Sequence, residues 1–350
     1  MNKKILYFII YILFCNIYNF ILIKYKKKSK KKKYKKKKEK KKDIKKMTSS
    51  VEELGDKLHE ALFKSKTKEQ DIIDIISKTD LFTRLSISHY YETVYGKKLQ
   101  DDLKSKLSSD FKDLVIDLFL LPTDVEAENL KKNIKDEKLI VETLTTQPKF
   151  VIDELKKSYK TLTKNELKND IEKTFSSNPH LKKNLVTLLN SNRGTNEKPS
   201  KTQCEKDADL LIKTKEDDWF NDEKIFENIF CKKSPEELVM IARYYYKKKG
   251  ISLLDAIEKN ATGKNKEILK EVFINTINPC ELYAEKIYNA IKGMGTKDKD
   301  LIRILSSRGE IDMDDIREMY NWKYNQNLID DITGDTSGPY RDLLVKIAEK

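Results

Sequence analysis

Ile291-Lys292-Gly293-Met294-Gly295-Thr296, then Leu301-Ile302-Arg303-Ile304-Leu305, then Gly334-Asp335-Thr336-Ser337-Gly338 with its carboxylate forty positions beyond Gly295, is the stretch from which the rest of the chain can be read. Two glycines sit in a loop flanked by helical sequence. Glycine tolerates the dihedrals that let such a loop turn its carbonyls outward. The later segment supplies a carboxylate in another turn. Several carbonyls and one bidentate carboxylate form a hard-oxygen donor set of the kind that Ca²⁺ takes. Few protein ligands leave coordination positions open, and an open Ca²⁺ facing solvent can accept a phosphate oxygen. The residues therefore favour a calcium-bridged membrane contact.

Outward from this stretch the apolar spacing is helical. Leu301, Ile302, Ile304 and Leu305 fall on one face, as do Ile72, Ile73, Ile75 and Ile76. An internal repeat emerges when helix ends are aligned. Aromatic-rich helices run through a turn into a new helix start in 90–103, 159–171, 244–257 and 320–332, anchored on Leu99, Leu167, Leu253 and Leu328. The anchors are 68, 86 and 75 residues apart. A polar insert over 190–203, with Gly194 and Pro199, accounts for the long middle interval and reads as a linker. Each unit fits about five short helices. Pro122, Pro148, Pro235 and Pro279 fall between helices, where they cost no interior hydrogen bond. With 10 Gly, 7 Pro, 37% charged residues and no continuous β pattern, the 350-residue chain reads as all-α. Periodicity alone leaves a generic helical solenoid open.

The net charge of +14 is unevenly spread. Residues 24–46 hold 17 Lys against Glu39 and Asp43, and Lys3 and Lys4 add to them, so the chain from Met47 onward carries −3. A mildly acidic body argues against a nucleic-acid partner. Ile5 to Ile23 is an apolar run of signal or anchor length, followed by the lysines. Three readings stand for 1–46: an upstream stretch translated with a mistaken start, a signal or anchor, or a basic tail. Its residues are mostly those of AT-rich codons, which favours the first, with Met47 as the true start. Cys15, Cys204, Cys231 and Cys280 show no CxxC spacing and read as free thiols.

At this point the residues resemble the annexin family. Lys-Gly-x-Gly-Thr at Lys292, Leu301 to Arg308, Glu310-Ile311-Asp312 and Gly334 to Gly338 carry the resemblance in the last repeat, and Leu103-Lys104-Ser105 in the first. It covers the chain from about Val51 onward. The resemblance implies an all-α fold of four annexin-type repeats of about five helices each, forming a curved disc. The repeats fall at 51–121, 124–190, 204–275 and 280–350, with a linker at 191–203. It further implies binding of acidic phospholipid when calcium is present. Carried over by position, the Ca²⁺ ligands would be the carbonyls of Ile291, Gly293 and Gly295 and both oxygens of Asp335, with Thr296 capping the next helix.

The other repeats depart from this pattern. In repeat one, Lys64 and Lys66 replace the loop glycines and Lys106 stands at the carboxylate position, so the metal site is lost. These ammonium groups could instead touch lipid phosphate directly. In repeat two, Ile134-Lys135-Asp136-Glu137 is a shortened loop and Thr174 replaces the carboxylate. In repeat three, Asn260 replaces it, although Glu216, Asp217 or Asp218 could retain weak affinity. Trp219 and Phe220 in that loop are candidates for insertion at the membrane interface. His59, His89 and His180 have no catalytic partner by motif. Gly334 to Gly338 follows an amphipathic helix rather than the strand a protease motif needs, so no enzyme is expected. The expected protein is cytoplasmic and peripheral on membranes, with self-association on the membrane as a further partner mode. It would be anchored or secreted if 1–46 are real. The alternative is a giardin-like scaffold protein associated with the cytoskeleton that has largely lost calcium dependence.

Overall fold

The computed structural model describes residues 36–64, 66–194, 198–293 and 295–350, with side chains from Ser50 onward. The apolar run at 5–23 and the first lysines lie outside the described residues. Twenty α-helices, one 3₁₀ turn and one π-helical stretch make up the regular structure, and no strand occurs among the described residues. The chain divides into two compact units, Met1–Phe119 and Leu120–Lys350.

The first unit holds α1 (Lys36–Phe63), α2 (Glu69–Ser77), α3 (Leu81–Tyr95), α4 (Leu99–Lys106) and α5 (Ser109–Leu118). The second holds three further groups of five. They are α6 (Pro122–Lys132), α7 (Glu137–Thr146), α8 (Lys149–Thr163), α9 (Leu167–Thr174) and α10 (Pro179–Asn190); α11 (Lys201–Lys213), α12 (Glu223–Ile225), α13 (Pro235–Lys249), α14 (Leu253–Asn260) and α15 (Gly263–Ile277); and α16 (Pro279–Ile291), α17 (Asp298–Arg308), α18 (Met313–Tyr324), α19 (Leu328–Asp335) and α20 (Gly338–Ala348). The π-helical stretch Phe226–Cys231 continues α12. In every group the first helix packs against the third.

The faces read from periodicity are the buried ones. Ile72, Ile73, Ile75 and Ile76 are all buried, as are Leu301, Ile302, Ile304 and Leu305. The four leucine anchors each open the fourth helix of their group and are at most 1% exposed. What sets them is the residue three positions earlier. Gly96, Lys164, Gly250 and Asn325 each end the third helix in the left-handed conformation, at φ 69, 65, 74 and 49°. That geometry reverses the chain and drops the leucine into the core. Three of the four interhelical prolines occupy the first turn of a helix, and Pro148 sits at the N-cap of α8.

The second and fourth groups meet through a buried carboxylate. Glu142 on α7 is 2% exposed. Its Oε1 accepts from Arg303 Nη2 of α17 at 2.8 Å, and the Lys286 ammonium of α16 sits against Oε2. Arg303 Nη1 also reaches Glu126 at 3.6 Å. Burial alone would raise the Glu142 pKa; the two cations overcome it and hold the carboxyl below its ordinary range. Arg193, in the linker, donates to the carbonyls of Lys233 (2.7 Å) and Phe230 (2.9 Å) and so ties that segment to the third group. Cys204 and Cys231 are buried free thiols, and burial pushes Cys231 up to about 12.

Lys164 is the one β-carbon-bearing long side chain among the four left-handed caps, where an L-residue costs roughly 1–2 kcal/mol. Lys164→Gly is expected to gain about 1 kcal/mol of stability, less the entropy glycine adds to the unfolded chain. A higher urea midpoint at unchanged slope would register the gain; an unchanged midpoint would refute it.

Candidate calcium site

The loop between α16 and α17 is pinned at both ends. Lys292 N–H donates to the Tyr288 carbonyl (2.8 Å), and Lys297 N–H reaches back to the Ala290 carbonyl (2.9 Å). Between these bonds Gly295 adopts φ +83°, a conformation side chains resist. A β-carbon on Gly293 would stand 3.6 Å from the Gly295 carbonyl oxygen, so that carbonyl folds back over Gly293. Among the described residues no donor engages the carbonyls of Ile291, Gly293 or Gly295. They are acceptors without a partner among the described residues, and Gly293 and Gly295 are exposed.

Asp335, the last residue of α19, is exposed and is brought to this loop by Thr296, whose Oγ1 donates to Asp335 Oδ2 at 2.6 Å and to its carbonyl at 3.2 Å. The expectation that Thr296 caps the next helix is corrected here. α17 starts at Asp298 with Lys297 at the cap position, and the threonine hydroxyl is committed to Asp335 instead. A carboxylate has about four lone-pair sites, so it can accept the threonine and still ligate a cation. One carboxylate beside unengaged carbonyls fits Ca²⁺, which is content with backbone oxygens. Among the described residues no three His, Cys, Asp or Glu side chains are grouped so as to hold a metal ion, so a metal here would rest mainly on carbonyls.

The neighbouring cation is neutralised. Lys292 Nζ lies 2.7 Å from Asp331 Oδ1, and the Tyr320 hydroxyl donates to Asp331 Oδ2 at 2.6 Å. This clamp recurs. Tyr91 donates to Asp102 and Tyr159 to Asp170, each at 2.8 Å and with the same eleven-residue spacing. In the third group Ala256 stands eleven after Tyr245, and Glu216 of the 3₁₀ turn accepts instead, at 3.0 Å. Burial foremost, then the carboxylate, raises each of these tyrosines above its ordinary pKa. Sequence reasoning missed the clamp; the repeated Tyr-to-Asp interval was the signal that could have found it.

The third group's loop differs from expectation. Trp219 and Phe220 are 0% and 1% exposed, so as placed they offer nothing to a membrane. Trp219 Nε1 donates to the Thr214 carbonyl (3.2 Å), and its ring meets Tyr245 edge-on at 5.8 Å. Phe220 packs edge-on to Phe226 at 5.1 Å. Asp217 is held by Thr262 N–H at 2.7 Å and Oγ1 at 2.9 Å, and Glu216 by Tyr245. In the first group Lys64, Lys66 and Lys106 are exposed. Lys106 Nζ stands 4.5 Å over the Phe63 ring, which draws it to the 62–67 turn, and Lys64 pairs loosely with Glu60 at 3.3 Å.

Comparison with known proteins follows the same outline. The annexin family model matches residues 55–118, 206–272 and 283–347. Annexin A13 of Homo sapiens is 33% identical over 299 residues, covering 83% of this chain and 93% of the relative. Annexin A6 of Gallus gallus is 34% identical over 282 residues, 79% of this chain; the chain spans 42% of that relative's length. The solved structure of annexin III superimposes with a TM-score of 0.79 at 30% identity, covering 86% of this chain and 94% of that one.

The clamp is testable. Tyr320→Phe removes a hydrogen bond to a charged group, which is expected to cost about 1.5–3 kcal/mol. A denaturant midpoint unchanged by this substitution would show that Lys292 alone holds Asp331.

Proposed function

The chain belongs to the annexin family, and from that membership we propose that it binds acidic phospholipid membranes through a single calcium ion held by the fourth repeat. Annexins bind acidic phospholipid surfaces in the presence of calcium, associate with membranes peripherally and are not enzymes. The finer reading assigns the ligands: the carbonyls of Ile291, Gly293 and Gly295, and the carboxylate of Asp335. The observation that carries it is the Thr296–Asp335 hydrogen bond, which holds a carboxylate beside a loop whose carbonyls have no donor among the described residues. These oxygens would hold Ca²⁺, which would supply positive charge and open coordination positions for a lipid phosphate. The chain's own part is to present the carbonyls, keep Asp335 oriented through Thr296 and cancel the charge of Lys292 on Asp331.

One site gives calcium-hungry binding, because its remaining ligands come from lipid. Lysine contacts from the first repeat, or self-association on the membrane, would raise avidity without a second metal. The protein acts as a peripheral, cytoplasmic membrane binder. No described helix is long and apolar enough to cross a membrane.

Two measurements test this reading. The full chain is pelleted with phosphatidylserine vesicles in calcium or in chelator. Asp335→Ala is expected to abolish the calcium-dependent increment, and an increment equal to that of the parent chain would refute the site. Replacing Lys64, Lys66 and Lys106 with Gln is expected to lower the chelator-resistant fraction, by about fivefold per lysine that faces the membrane. That effect should shrink as added salt shortens the Debye length; a salt-insensitive loss would assign it to something other than charge.

A further inference from the structure

The two loops that build the fourth repeat's site, after the first helix and at the end of the fourth, are joined in three of the four groups, each time with different chemistry. In the fourth group they are tied by Thr296 and Asp335. In the third the polarity is exchanged: the loop carboxylate of Asp217 accepts from Thr262. In the first they are joined by Lys106 over Phe63. In the second group, among the described residues, no hydrogen bond or ion pair joins the 133–136 turn to Lys173 or Thr174. A cleft of about 810 Å³ opens there instead.

The lining of that cleft is cationic. Lys131 from the end of α6, Lys135 from the turn and Lys173 from the end of α9 face it, with Lys264 from the start of α15 on its rim. All four are exposed. Two carboxylates also line it, and both are engaged: Glu137 is paired with Lys264 at 2.6 Å, and Asp170 accepts the Tyr159 hydroxyl at 2.8 Å. Lys131, Lys135 and Lys173 have no ion-pair partner among the described residues. Thr174 adds a hydroxyl where the fourth repeat has Asp335.

We propose that this cleft binds a phosphate-bearing anion directly, without calcium. Three ammonium groups with no ion-pair partner among the described residues line one open cavity, so no ion pair has to break for them to engage a multiply charged phosphate. Lysine serves as a point-charge phosphate ligand, and the open cleft lets it keep part of its hydration. Thr174 puts a neutral hydroxyl where the fourth repeat has a carboxylate, so the position offers a metal no charge, and the ammonium groups around it favour an anion. The phosphate could be a phosphomonoester lipid headgroup or a soluble polyphosphate. This inference is independent of the calcium reading, since it shares no residue with the fourth repeat's site.

The test must be local, because the 17 lysines of residues 24–46 would also attract anions. The full chain, in a calcium chelator, is titrated separately with inorganic pyrophosphate and with phosphatidylcholine vesicles containing phosphatidic acid. Amide hydrogen exchange is followed in peptides covering 131–137 and 173–175. Slowed exchange is expected with at least one probe: with pyrophosphate if soluble phosphate suffices, with vesicles alone if the headgroup must be presented on a surface. The triple variant Lys131→Gln, Lys135→Gln, Lys173→Gln is expected to weaken that protection by about a hundredfold in probe concentration, roughly fivefold per lysine. Thr174→Asp, a single change at a half-buried position that leaves the lysines in place, should weaken it as well. Exchange unaltered by both probes overturns the proposal. So does protection that is the same in the parent chain and in both variants, provided their melting curves coincide.

Discussion

The Glu142 carboxylate is the constraint on which the larger unit depends. Alone, a carboxylate so deeply buried would carry a heavy desolvation cost and would protonate. It stays ionised because Arg303 and Lys286 arrive from the fourth repeat, and they in turn are acceptable inside because Glu142 and Glu126 await them from the second. Neither repeat can bury its half without the other. Such a network is weak evidence for net stability, since apolar replacements of equal shape can do as well. Its contribution is to register: it fixes which face of α17 turns toward α7. Because α17 starts just beyond the glycine loop, that register also helps fix where the loop stands.

Around this frame the repeats differ mainly at their loops. The same fold element supplies an oxygen-lined turn in the fourth repeat, a self-satisfied acidic turn in the third, an open cationic cleft in the second and a lysine over an aromatic ring in the first. The core explains why this variation is tolerated. Each repeat is closed by its left-handed cap, the leucine three residues later and the tyrosine clamp, and only in the third repeat, where Glu216 accepts from Tyr245, does this closure draw on a charge of the loop. The fold therefore says little about which repeat binds what, and the reading of ligands has to come from the side chains at each loop.

Much of the fold was legible because it rests on local rules. The isoleucines of α2 and the leucines that open α4, α9, α14 and α19 announce themselves by spacing, and the glycine pair with its distant carboxylate points to a shared site before any coordinates. What escaped was decided by tertiary partners. Trp219 and Phe220 sit among lysines and acids, a context that reads as exposed, yet a single carbonyl from Thr214 satisfies the indole and frees both rings to enter the core. Thr296 has cap chemistry, but a carboxylate thirty-nine residues away competes for its hydroxyl and wins, because a charged acceptor outbids a backbone N–H. Lys164 occupies a position at which two of its counterparts are glycine, so the sequence hides a left-handed cap that the leucine spacing alone implied.

Charge accounting shows why lysine and calcium can occupy equivalent positions in neighbouring repeats. A divalent ion on Asp335 leaves one net positive charge at the fourth repeat's loop. A lysine with no ion-pair partner among the described residues, such as Lys135 or Lys66, also presents one. Toward a distant anionic surface the two are electrostatically alike, and both are screened over the same Debye length. They differ at contact. The ion has vacant coordination positions that a phosphate oxygen can fill directly, so it adds a short directional bond and a dependence on calcium concentration. An ammonium offers only hydrogen bonds to that oxygen and adds no dependence on calcium. A chain that mixed the two would respond to calcium at one loop and hold a salt-sensitive affinity at its lysine-bearing loops, and the residue at the end of the fourth helix, Asp335 against Lys106 or Thr174, is where the two proposed behaviours part.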